Sequence, residues 1–441
     1  MASKPVLYSS WKSSCAWRVR IALAWKGIDY TYKAVHLAKD GDQHKDEFSK
    51  LNPNKRVPAI EIDGHVLSQS GAILEYLEET RPERALLPTD PFVRAHVRSI
   101  CLLIAADIQP FQNSGQLIKV VEAVPDSEKE AKKNEWARFW IERGFTALEQ
   151  VLATTAGAYC VGDSITMADV YLRPQVHSAH LYSVDMVQFP TIVRIAAALA
   201  ALPEFETTHP LQQPDASHSS TGAAKGGIRR HSARFTMATT EPVGTSATPV
   251  LYSYWRSTCS WRDGGEHFKD EFTKMNPNQR LPAIDIDGHV LSQSGAILEY
   301  LEETRPERAL LPKDPFVRAQ VRSICLLIGA DTQPVQNLAV LNKAVEAVPD
   351  SDKGAKKIEW ARFWIERGFT ALEQVLATTA STYCVGDDIT MADLYLEPQV
   401  YNANRFNVDM SQFPTIARIA AAVAALPEFQ AAHPSQQPDA Q

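Results

Sequence analysis

Cysteine is scarce in this chain, and the few residues there are do not cluster. The 441 residues include 6 Cys, at positions 15, 101, 160, 259, 325 and 384, with no CxxC pair and no metal-ligand grouping with His. Neither a disulfide framework nor a thiolate metal site is built this way, so the thiols read as reduced. Cys101 (SICLLI) and Cys160 (AYCVGD) stand in apolar surroundings and read as buried core thiols. Positive charge is not in excess. The formal net charge of -7 argues against general nucleic-acid binding, which draws on a basic surface to release counterions. No apolar run reaches the ~18 residues of a membrane span, and the first residues lack a signal-type apolar core. The expectation is a cytoplasmic protein that binds neither membrane nor nucleic acid. At 45% hydrophobic and 22% charged residues the composition is globular, and the length calls for several domains.

An internal duplication is what the chain has in place of those features. DGHVLSQSGAILEYLEETRPERALLP occurs at 63–88 and again, unchanged, at 287–312, and ARFWIERGFTALEQVLATTA occurs at 137–156 and 361–380. Repeats of this length mark a duplicated set of domains, not a solenoid unit. The second copy is damaged. Cys259 is offset by 244 from Cys15 and Lys269 by 224 from Lys45, so a net 20 residues are lost between them, and the missing part corresponds to Val19 through Lys39. Among the absent apolar residues are Val19, Ile21, Leu23, Trp25, Ile28, Tyr30 and Val35. The forfeited burial is on the order of 10 kcal/mol, comparable to the ~5–15 kcal/mol by which a domain is stable. This predicts a distorted lobe over 249–311 that does not hold a ligand tightly. Between the copies, 210–248 loses hydrophobic periodicity and reads as a flexible linker. It contains MATTEPVG from Met237, a plausible independent start, and a basic GGIRRHSARF stretch that reads as solvated. Two origins stand open, two adjacent reading frames joined with one segment skipped, or a real fusion. An intact mass near that of one copy would remove the fusion.

Within copy one, a strand over 5–9 runs into a Ser-rich turn and then a helix whose buried face carries Val19, Ala22, Leu23 and Lys26, stopped by Gly27. A second strand over 30–35, a short amphipathic turn over 46–51, and a hairpin about Asp63-Gly64 follow. Ser70 is placed as the N-cap of a helix over 71–80. After Pro91 only helices are expected, over 92–108, 127–153, 167–178 and 191–202, with Thr166 and Asp169 as a capping box. Each copy thus reads as a β-α-β-β-β-α lobe followed by an all-helical lobe. The turn SSWKSSC before the first helix has the geometry that holds an anion or thiolate, because the first N–H groups of a helix lack partners within it.

SSCAWRVRIAL, NPNKRVPAIEIDG, QSGAILEYLEE, IQPFQN, YCVGDSITMAD and HPLQQPD together resemble the zeta class of glutathione transferases, the maleylacetoacetate isomerases. The resemblance covers 4–215 and, apart from the gap, 249–439. It implies an α+β chain of two tandem glutathione-transferase units, each a thioredoxin-like lobe (4–88 and a truncated 249–312) plus a helical lobe (91–209 and 315–433). It also implies glutathione as cofactor. Ser13 would donate its hydroxyl to the glutathione sulfur, with Ser14 and Cys15 at the helix start beside it. Val57 and a cis Pro58 would pair with the glutathione backbone, Gln69 and Ser70 would hold the γ-glutamyl end, and Gln112 would reach in from the helical lobe. The implied reaction is cis-trans isomerisation of maleylacetoacetate to fumarylacetoacetate, in phenylalanine and tyrosine catabolism, with transferase activity that extends to α-halo acids. Alternatives are a general conjugating transferase, a non-catalytic glutathione-binding scaffold, or redox catalysis at Cys15. The last is disfavoured because redox relatives place Cys where this chain has Ser13. The family dimerises through both lobes, which implies a homodimer or an intrachain pseudo-dimer.

One departure stands out. The Arg that grips the substrate carboxylate in the family is present in copy two as Arg405 (NANRF), whereas copy one has Leu181 there, preceded by His180. A guanidinium binds a carboxylate bidentately, and His180 is a weaker substitute.

Overall fold

The computed structural model describes residues 3–37, 41–216, 249–253 and 269–437. In copy one β1 (Val6–Ser9) leads through the Ser-rich turn to α1 (Ser14–Trp25) and β2 (Thr31–Ala34). Then come α2 (Asp46–Leu51), the hairpin strands β3 (Ala59–Ile62) and β4 (His65–Ser68), and α3 (Ser70–Thr80). The sheet runs β2-β1-β3-β4, with β1 parallel to β2 and the other pairs antiparallel. This is a thioredoxin-like lobe, in which the expected turn over 46–51 is a full helical segment. Two expectations need correction. First, α1 is not buried on one face only: every residue from Ala16 to Leu23 is buried, Arg18 and Arg20 included, because α3, α7 and α9 of the same copy (bounds below) pack around it. Second, Ser70 is not an N-cap. Gln69 takes that place with φ 66°, so the helix starts one residue earlier than a Ser cap would allow.

The helical lobe comprises α4 (Pro91–Asp107), α5 (Ser114–Val120), α6 (Asp126–Thr155), α7 (Met167–Leu181), α8 (Pro190–Ala200) and α9 (Pro203–Thr207). The short α5 and α9 escape a periodicity reading because each spans about two turns or fewer. The Thr166 and Asp169 capping box forms, with Asp169 accepting from the Thr166 N–H at 2.8 Å and its hydroxyl at 3.0 Å. Cys101 and Cys160 are buried, as their surroundings predict. The first residues of the stretch read as a linker are docked, not free. Asp215 accepts from the Trp11 N–H at 3.0 Å and the Tyr32 hydroxyl at 2.7 Å.

Copy two repeats the plan with β5 (Val250–Tyr252), α10 (Asp270–Met275), β6 (Ala283–Ile286), β7 (His289–Ser292) and α11 (Ser294–Thr304). Its helical lobe holds α12 (Pro315–Leu326), α13 (Leu338–Ala344), α14 (Asp350–Thr379), α15 (Met391–Arg405), α16 (Pro414–Ala424) and α17 (Pro427–Ala432). The described sheet has three strands, β5-β6-β7, and Val250 faces Asp285 in the register with which Val6 faces Glu61. The surviving strands therefore keep their register; the sheet has lost the edge strand that corresponds to β2, which falls within the deleted segment, but the further damage expected of this lobe is not in the strands that remain. It lies in the missing cover: Leu251 is 60% exposed where its counterpart Leu7 is fully buried. The loss is also smaller than the sequence suggests, since Trp25, Ile28 and Tyr30 are only partly buried in copy one.

The copies face each other about a pseudo-two-fold axis, with α3 against α12 and α11 against α4. Arg98 pairs with Glu75 at 2.9 Å in its own copy and with Glu303 of the other at 2.8 Å, and Arg322 pairs likewise with Glu299 and Glu79, both at 2.7 Å. His65 stacks on Phe316 and Phe92 on His289. Among the described residues no single helix is long and apolar enough to cross a membrane.

Candidate active site

Ser13 is the N-cap of α1. Its Oγ accepts from the Ala16 N–H at 3.1 Å, which occupies its acceptor side and leaves the hydroxyl proton free to donate. Ser14 and Cys15 form the first turn of the helix, and all three are half-buried, open to a ligand at one side. Arg20, fully buried, fixes the turn from behind: Nη1 donates to Ser9 Oγ at 2.9 Å and to the Ser10 carbonyl at 3.2 Å. Burial pushes its pKa down to about 10, which still leaves it charged.

Across the cleft, the Val57-Pro58 bond is cis, and Val57 precedes β3, so its peptide lies outside the strand ladder. No side chain caps α3, so the free N–H groups at its start are available to a carboxylate. Gln69 holds a left-handed φ just before it, a conformation that costs about 1–3 kcal/mol in a non-glycine residue and concentrates at ligand sites. Arg18 links the two sides, since it rises from α1 and its Nη1 donates to Ser70 Oγ at 3.4 Å. Its guanidinium lies 4.1 Å over the Tyr171 ring, and its Nε and Nη2 are buried without a hydrogen-bond partner. Gln112 is half-buried in a 3₁₀ turn, and its amide is already engaged, donating to the Ile108 carbonyl at 3.1 Å and accepting from Gln175 at 3.2 Å.

Copy two contributes a residue to this cleft that sequence reasoning missed. Asp331, in a π-helical turn after α12, accepts from Asn54 (2.8 Å), Arg56 (2.7 Å) and Gln69 (2.7 Å) of copy one. The reciprocal cleft has Asp107 of copy one accepting from Asn278, Gln293 and Arg280, beside a cis Leu281-Pro282 bond. Ser257, Thr258 and Cys259 lie outside the described residues. The remaining substrate candidates stand at the ends of equivalent helices. Leu181 is 68% exposed at the end of α7 next to His180, and Arg405 is exposed at the end of α15 with its guanidinium 5.4 Å from the Phe406 ring centre.

A thioredoxin-like lobe with a serine at the mouth of its first helix, joined to a helical lobe, defines the class as that of glutathione transferases. Family models described as glutathione S-transferase, N-terminal domain, match residues 12–80 and 261–303, and one described as the C-terminal domain matches 115–207 and 340–432. The chain is 51% identical over 216 residues to the maleylacetoacetate isomerase of Dictyostelium discoideum, covering 48% of this chain and 97% of that one. It is 54% identical to the Rattus norvegicus maleylacetoacetate isomerase, again over 48% of this chain and 96% of the relative. Among solved structures, maleylacetoacetate isomerase from Anaeromyxobacter dehalogenans with glutathione bound in its active site is 43% identical, with a TM-score of 0.44, over 49% of this chain and all of that one. This chain belongs to the glutathione transferase family of enzymes, in the zeta class with the maleylacetoacetate isomerases.

Proposed function

We propose that copy one binds glutathione and isomerises maleylacetoacetate to fumarylacetoacetate, a step of phenylalanine and tyrosine catabolism, and that the same site dehalogenates or conjugates α-halo acids. The observation that carries this reading is the Ser13 hydroxyl, with its acceptor side taken by the Ala16 N–H and its proton free, opposite an uncapped α3. The donor set suits the tripeptide: the Val57 peptide for its backbone, Gln69, Ser70 and the start of α3 for the γ-glutamyl carboxylate. Bound glutathione supplies a thiolate that adds to the cis double bond, allows rotation about the resulting single bond, and is expelled as the trans bond forms, so that nothing is consumed. Ser13 donates to the sulfur and favours its ionised form, and the N-terminal end of α1 at Ser14 and Cys15 adds its dipole. Val57, Pro58, Gln69 and Ser70 fix the peptide, while Gln112 closes the side toward the helical lobe.

Leu181 favours a second reading, a conjugating transferase or a glutathione-binding scaffold, because copy one lacks the guanidinium that Arg405 gives copy two. The purified chain with maleylacetone and glutathione separates them. Turnover to the trans product with glutathione unconsumed is expected. Stoichiometric consumption of glutathione without the trans product identifies a conjugating transferase, and saturable binding with neither identifies a scaffold.

A further inference from the structure

We infer that Arg173 is the substrate-carboxylate residue of copy one, a guanidinium carried two turns earlier on the same helix than the one that copy two places at its end. The inference rests on the proposed reading of the Ser13 cleft. With the copies aligned, α7 and α15 differ at six positions, four of which fall on one stripe. Arg173, His177, His180 and Leu181 in copy one correspond to Glu397, Tyr401, Asn404 and Arg405 in copy two. Positions 173, 177 and 180–181 recur at helical spacing, so they line one face. Copy one has lost the cation at the end of that face and gained one within it.

The surroundings of Arg173 are those of a cation awaiting an anion. Its guanidinium lies 5.3 Å from the Trp17 ring centre, and its Nε is buried with no hydrogen-bond partner. Among the described residues no carboxylate forms an ion pair with it. The groups beside it are imidazoles: His177 and His209 each pack edge-on to Trp17 and to one another, at 5.2–5.5 Å. All are kept neutral at pH 7. Burial, then His209 and Arg173, bring His177 down to about 4, and burial followed by Arg173 also lowers His180 and His209. A half-buried guanidinium without a counter-ion is costly unless something negative binds there. Trp17 ties this cluster to α1, since it belongs to the first turn of that helix, two residues after Cys15, and is held by an indole N–H bond to Thr208 at 3.0 Å. The neutral His180, at the exposed end of the face, contributes at most a single hydrogen bond, so the carboxylate is assigned to Arg173.

The test compares a charged and an uncharged electrophile. For the full chain, the ratio of kcat/KM for maleylacetone to kcat/KM for 1-chloro-2,4-dinitrobenzene should fall about 10- to 100-fold in Arg173→Met, as expected for loss of a charge-assisted pair. Arg173→Lys should fall between, because it keeps the charge without the planar fork. Adding Leu181→Arg to Arg173→Met should recover part of the ratio. A parallel fall in both activities means that Arg173 only packs on Trp17 and overturns the assignment, as does an unchanged ratio. A second measurement does not depend on turnover. With glutathione saturating, succinate should raise the Tm of the unsubstituted chain and not that of Arg173→Met, and an equal effect on both, or none on either, overturns it. Succinate protection lost in Arg173→Met, in a chain inactive toward maleylacetone, would refute the isomerase reading while upholding this one.

Discussion

The roles of Ser13 and Cys15 separate at the level of single atoms. Ser13 Oγ is the acceptor that caps α1, so its O–H is the group with a proton to give, whereas Cys15 sits in the helix with no hydrogen-bonded base beside it among the described residues. A thiol that acts as nucleophile needs a cation or base nearby to ionise, and the thiolate here comes with the bound peptide. Ser13→Ala should therefore lower kcat/KM for maleylacetone by about 100-fold or more, while Cys15→Ala should stay within about tenfold of the unsubstituted enzyme. The cap lost in Ser13→Ala costs about 1 kcal/mol of stability, so Ser13→Gly, which costs only a few tenths, separates folding from chemistry. If Cys15→Ala abolishes turnover and Ser13→Ala does not, the chemistry belongs to the cysteine. The serine turn before α1 and a helix start near Ser70 were legible in the sequence because both have local signatures, although Gln69 rather than Ser70 holds the cap position, and the ligand roles of Gln69 and Ser70 came from the family resemblance alone. Asp331 was not legible, because nothing near it in sequence signals a contact with Asn54, Arg56 and Gln69 more than 260 residues away.

At the scale of elements, the long helices and the strands of copy one follow from their periodicity, and their ends fall within a few residues of those expected. Periodicity is incomplete for α1, where Arg18 and Arg20 stand outside the apolar face named from the sequence and are buried all the same. Their guanidinium groups find Ser70, Ser9 and the Ser10 carbonyl as partners, which only the assembled lobe supplies. It also cannot see the π-helical turn Leu327–Thr332, the element that turns Asp331 toward copy one. That turn makes the cleft a joint product of both copies. Asp331→Asn keeps the shape and removes the charge that holds Arg56 and Gln69, and should raise the KM for glutathione about tenfold with kcat little changed. Asp107→Asn, the equivalent change toward copy two's cleft, should leave that KM unaltered. Equal effects of the two substitutions would mean that both clefts turn over, and no effect of Asp331→Asn would mean that Gln69 is positioned without it.

The molecule as a whole is a dimer-like assembly within one chain. Arg98 and Arg322 each bridge carboxylates of both copies, and Ala319 of copy two lies in the core of copy one while Trp136 and Trp140 of copy one lie in that of copy two. Buried charge networks of this kind add little net stability and do more to fix how the halves meet. The duplication was plain in the sequence, and so was the deletion. What the sequence could not show is that copy two keeps the register of its strands and its full helical lobe, and so can seat Asp331 while lacking the counterparts of Val19 through Lys39. Its cleft retains a cis proline, Gln293 and Asp107, yet has no counterpart of the α1 residues that fix the serine turn in copy one. One site per chain follows. Calorimetric titration with glutathione should give a stoichiometry near one, and Asp331→Asn should weaken that single site. Two sites of similar micromolar affinity would show that the second cleft binds without those residues, and the role of copy two as a partner that only completes the first site would fail.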